Sequence, residues 1–156
     1  MQNFQQNEAS REITITRTFS APRERVWEAW TDPEQIVKWW GPNGFTNTLF
    51  EMDVRTGGIW RHMMHGPDGT DYPNKVVYIE VLKPERLVYS HGGEEEASPC
   101  QFHVTVTFEK TGDDKTKLTL CMLFESEKER NKTADSGAIE GGNQTLGRLA
   151  EHLAKQ

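Results

Sequence analysis

Histidines, cysteines and strand-borne carboxylates are the residues of this 156-residue chain with obvious chemical potential. His62 and His65 stand three apart in a segment of strand character, so they face opposite sides of a sheet. With His91 and His103 they form no HExxH or Cys–His cluster of the kind a metal centre uses. Neither a metal nor a cofactor is expected. Cys121 lies on the side opposite Leu120 and Met122, with no histidine or acid at a spacing that would activate it as a nucleophile. Ser90 and His91 are adjacent in one strand and point apart. Glu51 and Glu80 sit among polar or mixed neighbours, which predicts a solvated outer face rather than an inward general acid or base. Gly57-Gly58 and Gly141-Gly142 lack the strand-before, helix-after GxGxxG context of a phosphate cradle. Glu94-Glu95-Glu96 reads as a solvated loop, without calcium-loop spacing. No catalytic residue is assigned.

What remains is an aromatic and methionine set that includes Met52, Tyr72, Tyr78 and Tyr89, and within it Trp39, Trp40, Phe45, Trp60, Met64, Phe102 and Met122. Taken alone it reads first as ordinary core. Small-molecule sites, however, are concave, apolar and sparsely polar. In a fold that leaves a cavity, these residues become candidate ligand contacts, and His62, Asn74, Tyr89 and His91 the polar groups that orient a ligand.

Composition excludes several functions. Eighteen Lys and Arg against twenty-four Asp and Glu give a net charge of −6. With no basic run longer than two residues, nucleic-acid binding is not expected. No apolar stretch approaches the ~20 residues of a membrane span. Residues 1–10 are polar and lack the build of a signal peptide, so they read as a flexible tail before a single domain, 11–156, in a cytoplasmic protein. Aromatics make up 10% of the chain, which argues against disorder. Cys100 and Cys121 are expected to be free thiols. If Val104 lies opposite Cys121 across a hairpin, Cys100 is about 13 Å further along its strand, beyond the ~7 Å that a disulfide spans.

The elements that must position these residues follow from periodicity. Glu12–Phe19 alternates, with Ile13, Ile15, Arg17 and Phe19 on one side and threonines on the other, which predicts a strand. Pro22 opens a short helix carrying Val26, Trp27 and Trp30. Asp32-Pro33 then reads as a cap and N1 proline for a second helix with Ile36, Val37, Trp39 and Trp40, closed by Gly41-Pro42-Asn43-Gly44. Strands are predicted at Phe45–Asp53, Ile59–His65, Tyr72–Leu82, Arg86–His91, Gln101–Glu109 and Lys115–Phe124. Their short connections imply an antiparallel meander. One face of the last pair is apolar: Phe102, Val104, Val106 and Phe108, then Leu118, Leu120, Met122 and Phe124. Leu146, Leu149, Ala150 and Leu153 make a helical stripe in Glu140–Lys155 able to cover it. The fold class is α+β: a curved antiparallel sheet around a long C-terminal helix, with two short helices after the first strand.

Several segments now match a known pattern. The run Ala21-Pro22-Arg23-Glu24-Arg25-Val26-Trp27-Glu28-Ala29-Trp30 resembles the opening helix of the START-like, birch-pollen-allergen-like (SRPBCC) superfamily. Trp39-Trp40-Gly41-Pro42, Gly44-Phe45 and Asp53-Val54-Arg55-Thr56-Gly57-Gly58-Ile59-Trp60 resemble the branch named for the activator of heat-shock-protein-90 ATPase. So do Met64-His65-Gly66-Pro67-Asp68-Gly69 and Pro84-Glu85-Arg86-Leu87-Val88. The resemblance runs from about Arg11 to Lys155 and implies a helix-grip fold: about seven strands gripping the last helix, with a cavity between. It also implies a small hydrophobic molecule as ligand. The branch name implies instead a stress-response module with a chaperone or other protein as partner, and the wider superfamily a polyketide cyclase or hydratase-like enzyme. One departure stands out. Where the family carries a Trp at the start of the grip helix, this chain has Gly142. The missing indole either opens the cavity there or is replaced by another side chain, and Gly142 and Leu146 join the candidate lining.

Overall fold

Alternation in β1 (Glu12–Phe19) buries Ile13, Ile15 and Phe19 and leaves the intervening threonines in solvent. A computed structural model of the chain describes residues 11–93 and 102–155. The expected tail at 1–10, the Glu94-Glu95-Glu96 run and Cys100 lie outside them. After β1, helix α1 (Arg23–Thr31) buries Val26, Trp27, Ala29 and Trp30. Helix α2 (Pro33–Trp39) begins on Asp32, whose side chain accepts a hydrogen bond from the Glu34 amide, with Pro33 in the first turn. This cap satisfies one of the amides that a helix start leaves free.

Six further strands follow: β2 (Thr46–Met52), β3 (Ile59–His65), β4 (Asp71–Leu82), β5 (Arg86–Gly93), β6 (Phe102–Gly112) and β7 (Lys115–Leu123). They form a meander, and β1 adds beside β7, giving one seven-stranded sheet in the order β1-β7-β6-β5-β4-β3-β2. Every pairing is antiparallel. Gly58 holds the turn from β2 to β3, where an added Cβ would collide with the Asp53 carbonyl oxygen, so only glycine fits. Helix α3 (Glu127–Asp135) and helix α4 (Ala138–Ala154) end the described chain. Leu146, Leu149 and Leu153 of α4 are buried among the apolar cluster that includes Val104, Val106, Phe108 and Leu118 on the sheet. The architecture is α+β and consistent with the helix-grip fold.

Two features differ from expectation. Val104 faces Met122, and Cys121 faces Thr105. The turn sits at Asp113 and Asp114, Asp114 having a φ of 59°, and a bulge between Lys110 and Gly112 takes up one more residue. The pairing of Val104 with Cys121 is therefore corrected by one residue, while the apolar face stands. Cys121 itself is a free thiol, and burial raises its pKa. Secondly, α3 was not anticipated. It buries no residue, so no apolar stripe marks it. Its signal is Ser126, whose hydroxyl accepts from the Glu129 amide at 3.1 Å, in the Ser-x-x-Glu arrangement of a helix start.

A candidate ligand site between the grip helix and the sheet

Between α4 and the inner face of β5, β6 and β7 lies a cavity of about 330 Å³. Its floor is Tyr89, His91, Phe102, Val104, Leu120 and Met122, all on the side that alternation turns inward. Its roof is the first half of α4, with Gly141, Gly142, Thr145 and Leu146, preceded by the junction Ser136–Ala138. Trp40, Gly41 and Pro42, where α2 ends, close one side together with Met64 of β3. The volume falls at the lower end of the ~300–1,000 Å³ typical of small-molecule sites, and the lining is mostly apolar, as in such sites.

The wall at Trp40–Pro42 is held in place by charge. Arg148 of α4 donates to the carbonyls of Trp40 (3.2 Å), Gly41 (2.9 Å) and Pro42 (3.0 Å) through Nη1, and to that of Lys38 (3.3 Å) through Nη2. A planar guanidinium with several N–H donors suits this cluster: Lys38 O belongs to the last turn of α2, whose carbonyls lack helical partners, and the other three follow in the turn after it. Gln144 of α4 accepts from the Asn43 amide at 3.1 Å. On the strand side, Asn47 Nδ2 donates to Trp40 O at 2.9 Å.

Gly142 combines both consequences of the missing indole. It lines the cavity, yet a Cβ built on it would collide with Cδ1 of Ile15. The β1 side chain thus occupies the space into which this position points, and the cavity lies to one side of it.

Eight of the thirteen anticipated contacts line the cavity: Trp40, Met64, Tyr89, His91, Phe102, Met122, Gly142 and Leu146. Trp39 does not. Its indole is fully buried and donates to Ala29 O at 3.0 Å, binding α2 to α1. Trp60 lies against Trp40, with ring centroids 4.9 Å apart, and is not part of the lining. Phe45 packs instead beside Tyr72, at 5.9 Å. His62 stacks on Trp60 at 4.2 Å, is 1% exposed, and neither ring nitrogen has a hydrogen-bond partner. Burial, and to a lesser degree neighbouring His91, lowers its pKa to about 3. Asn74 stands behind the lining: its Oδ1 meets His91 Nε2 at 3.1 Å, and its Nδ2 donates to Tyr72 O at 3.0 Å. Burial lowers the His91 pKa to about 4, so this imidazole is neutral at ordinary pH. Tyr89 is a buried phenol whose pKa burial raises.

His65 lies outside this group, tied on the outer face by Asp71 at 2.7 Å and Thr48 at 2.7 Å. Among the described residues no three His, Cys, Asp or Glu side chains group as metal ligands would. No helix there is long and apolar enough to cross a membrane. Residues that spacing did not single out include Leu120 and Val104, which were placed in the core, and Thr145 and the Ser136–Ala138 junction. Thr145 stands three residues after Gly142 and four before Leu149, on one helix face with them, a spacing that would have marked it.

The family model described as Activator of Hsp90 ATPase homolog 1-like protein matches residues 20–154. A crystal structure of a Mycobacterium smegmatis protein is 28% identical to the chain, with a TM-score of 0.85 over 96% of this chain and 94% of that one. A solution structure of an Arthrobacter aurescens protein is also 28% identical, with a TM-score of 0.87 over 96% and 90%. A crystal structure of a Nitrosomonas europaea protein is 25% identical, with a TM-score of 0.85 over 94% and 96%. No curated protein matches the chain.

Proposed function

The chain belongs to the family of Activator of Hsp90 ATPase homolog 1-like proteins, and we propose that it binds a small, largely hydrophobic molecule between α4 and the sheet. The observation that carries this is the apolar cavity of about 330 Å³ under the grip helix. The concavity opens to solvent and its lining is mostly apolar, so a small apolar molecule seated in it would remove that surface from water. Its few polar groups, His91 and Tyr89 on the floor, would orient that occupant, and the Arg148 clamp would keep one wall in place.

Native mass spectrometry of the purified protein, followed by organic extraction, tests for an occupant acquired during expression. Titration with prodan, a neutral fluorescent naphthalene, tests the site directly. Saturable binding that Leu120→Trp abolishes, with the fold intact by circular dichroism, is the expected result. Absence of both an adduct and saturable prodan binding would refute the proposal. Family membership favours a second role, association with a chaperone, and retention of the chain in a chaperone pull-down would support it.

A further inference from the structure

The hydrogen bonds around His91 fix which kind of polar group the cavity can receive. A carbonyl oxygen only accepts, so the contact between Asn74 and Tyr72 O at 3.0 Å identifies the donating end of the amide as Nδ2. The other end, Oδ1, therefore faces His91 Nε2 at 3.1 Å as an acceptor. Nε2 must then carry the ring proton. In a neutral imidazole the second nitrogen is left as a bare acceptor. Among the described residues, that nitrogen, Nδ1, has no hydrogen-bond partner, and it is not among the polar atoms sealed from solvent. His91 itself lines the cavity.

Of the other polar lining groups, Tyr89 offers a phenol that can both donate and accept, so it is not an obligate acceptor as Nδ1 is. Thr145 spends its hydroxyl on Gly141 O at 2.8 Å, within its own helix. No lysine, arginine, aspartate or glutamate lies among the described lining residues. A carboxylate buried here would lose its hydration without gaining a cationic partner, which is strongly unfavourable. A purely apolar occupant would cover Nδ1 and leave an acceptor unpaired, which also costs affinity.

We propose that the ligand is an uncharged apolar molecule carrying one hydrogen-bond donor, a hydroxyl or N–H, that is delivered to Nδ1 of His91. This rests on the binding function proposed above and specifies its ligand class. Burial supports it, since an imidazole kept neutral retains the acceptor that protonation would remove.

The test uses four compounds of one shape, displacing prodan from the full-length protein at pH 7.5: naphthalene, 2-naphthol, 2-methoxynaphthalene and 2-naphthoate. 2-Naphthol is expected to bind about tenfold more tightly than 2-methoxynaphthalene, as one buried hydrogen bond and its unpaired alternative imply. 2-Naphthoate is expected to bind weakest. His91→Phe should erase the advantage of 2-naphthol while retaining naphthalene. Because that substitution also removes the Asn74 contact, a second measurement uses the wild-type protein. Long-range ¹H–¹⁵N spectra should show His91 protonated on Nε2, with an Nδ1 resonance that moves on adding 2-naphthol and not on adding 2-methoxynaphthalene. Equal affinities for those two compounds, a preference that survives His91→Phe, or a proton on Nδ1 would overturn the inference. Naphthalene separates the two levels: if it binds while the 2-naphthol preference is missing, only the donor proposal fails. If none of the four binds, the cavity proposal fails with it.

Discussion

Two imidazoles kept neutral by burial should make this protein lose stability in mild acid. An unfolded chain protonates histidine near pH 6.5, whereas His62 and His91 resist protonation down to about 3 and about 4 in the folded state. Below pH 6.5 the unfolded state therefore binds more protons, and stability falls with pH. The stabilisation is complete above pH 6.5 and drains away towards the folded values. Each such group changes stability by about 1.4 kcal/mol per pH unit in that window. Between pH 6.5 and 5 the upper bound is ~2 kcal/mol for each histidine and ~4 kcal/mol for both. Working above pH 5 keeps most carboxylates out of the titration. Urea denaturation of the wild type, His62→Phe and the His62→Phe/His91→Phe double variant between pH 5 and 7.5 isolates the effect. His152, also lowered by burial, contributes the same background slope to all three. His62→Phe should roughly halve the acid loss. It should also be neutral or stabilising at pH 7.5, since it removes a buried polar group that has no partner. An unchanged slope in His62→Phe would refute the reasoning, because the ring would then already be reaching solvent or a partner.

Leu149 is fully buried and Leu120 half-buried on the cavity floor, so Leu149→Ala should cost ~2–5 kcal/mol and Leu120→Ala clearly less, by chemical denaturation. Gly142→Trp must displace Ile15, and the overpacking should lower stability by ~1–3 kcal/mol in thermal unfolding. Arg148→Met should cost about 2 kcal/mol, by loss of charge-assisted bonds to carbonyls at the end of α2. Arg148→Lys should recover only part of it, since an ammonium lacks the guanidinium fork; equal stability of the two variants would contradict this.

The sequence carried the elements further than it carried the site. Glu12–Phe19 and Ile59–His65 have the bounds that alternation predicts, and Asp32-Pro33 caps α2 as that dipeptide implies. Alternation reports which face a residue takes but not how far along the sheet the cavity extends. Trp60 and His62 point inward as expected and still miss the cavity, because Trp40 packs over both, 4.9 and 6.2 Å from their rings. Trp39 follows the apolar pattern of α2, but its side of the helix meets α1. Neither helix contact has a periodic signature. The Val104 register was off by one because bulges and turn positions depend on φ values, such as that of Asp114, which composition does not specify.

The position of β1 has a consequence for how the chain reaches its fold. Strands β2 to β7 each pair with a neighbour in sequence, so hairpins can assemble them stepwise. β1 instead pairs with β7, joining Glu12 to Leu123. Loop-closure entropy for a span of about a hundred residues must be met before any contact rewards it. Closure of β1 is thus expected to come late, after the meander has formed. Ile15, which abuts Gly142 of the grip helix, would then seat strand and helix in the same step. Substitutions at Ile13 and Ile15 should accelerate unfolding far more than they slow refolding.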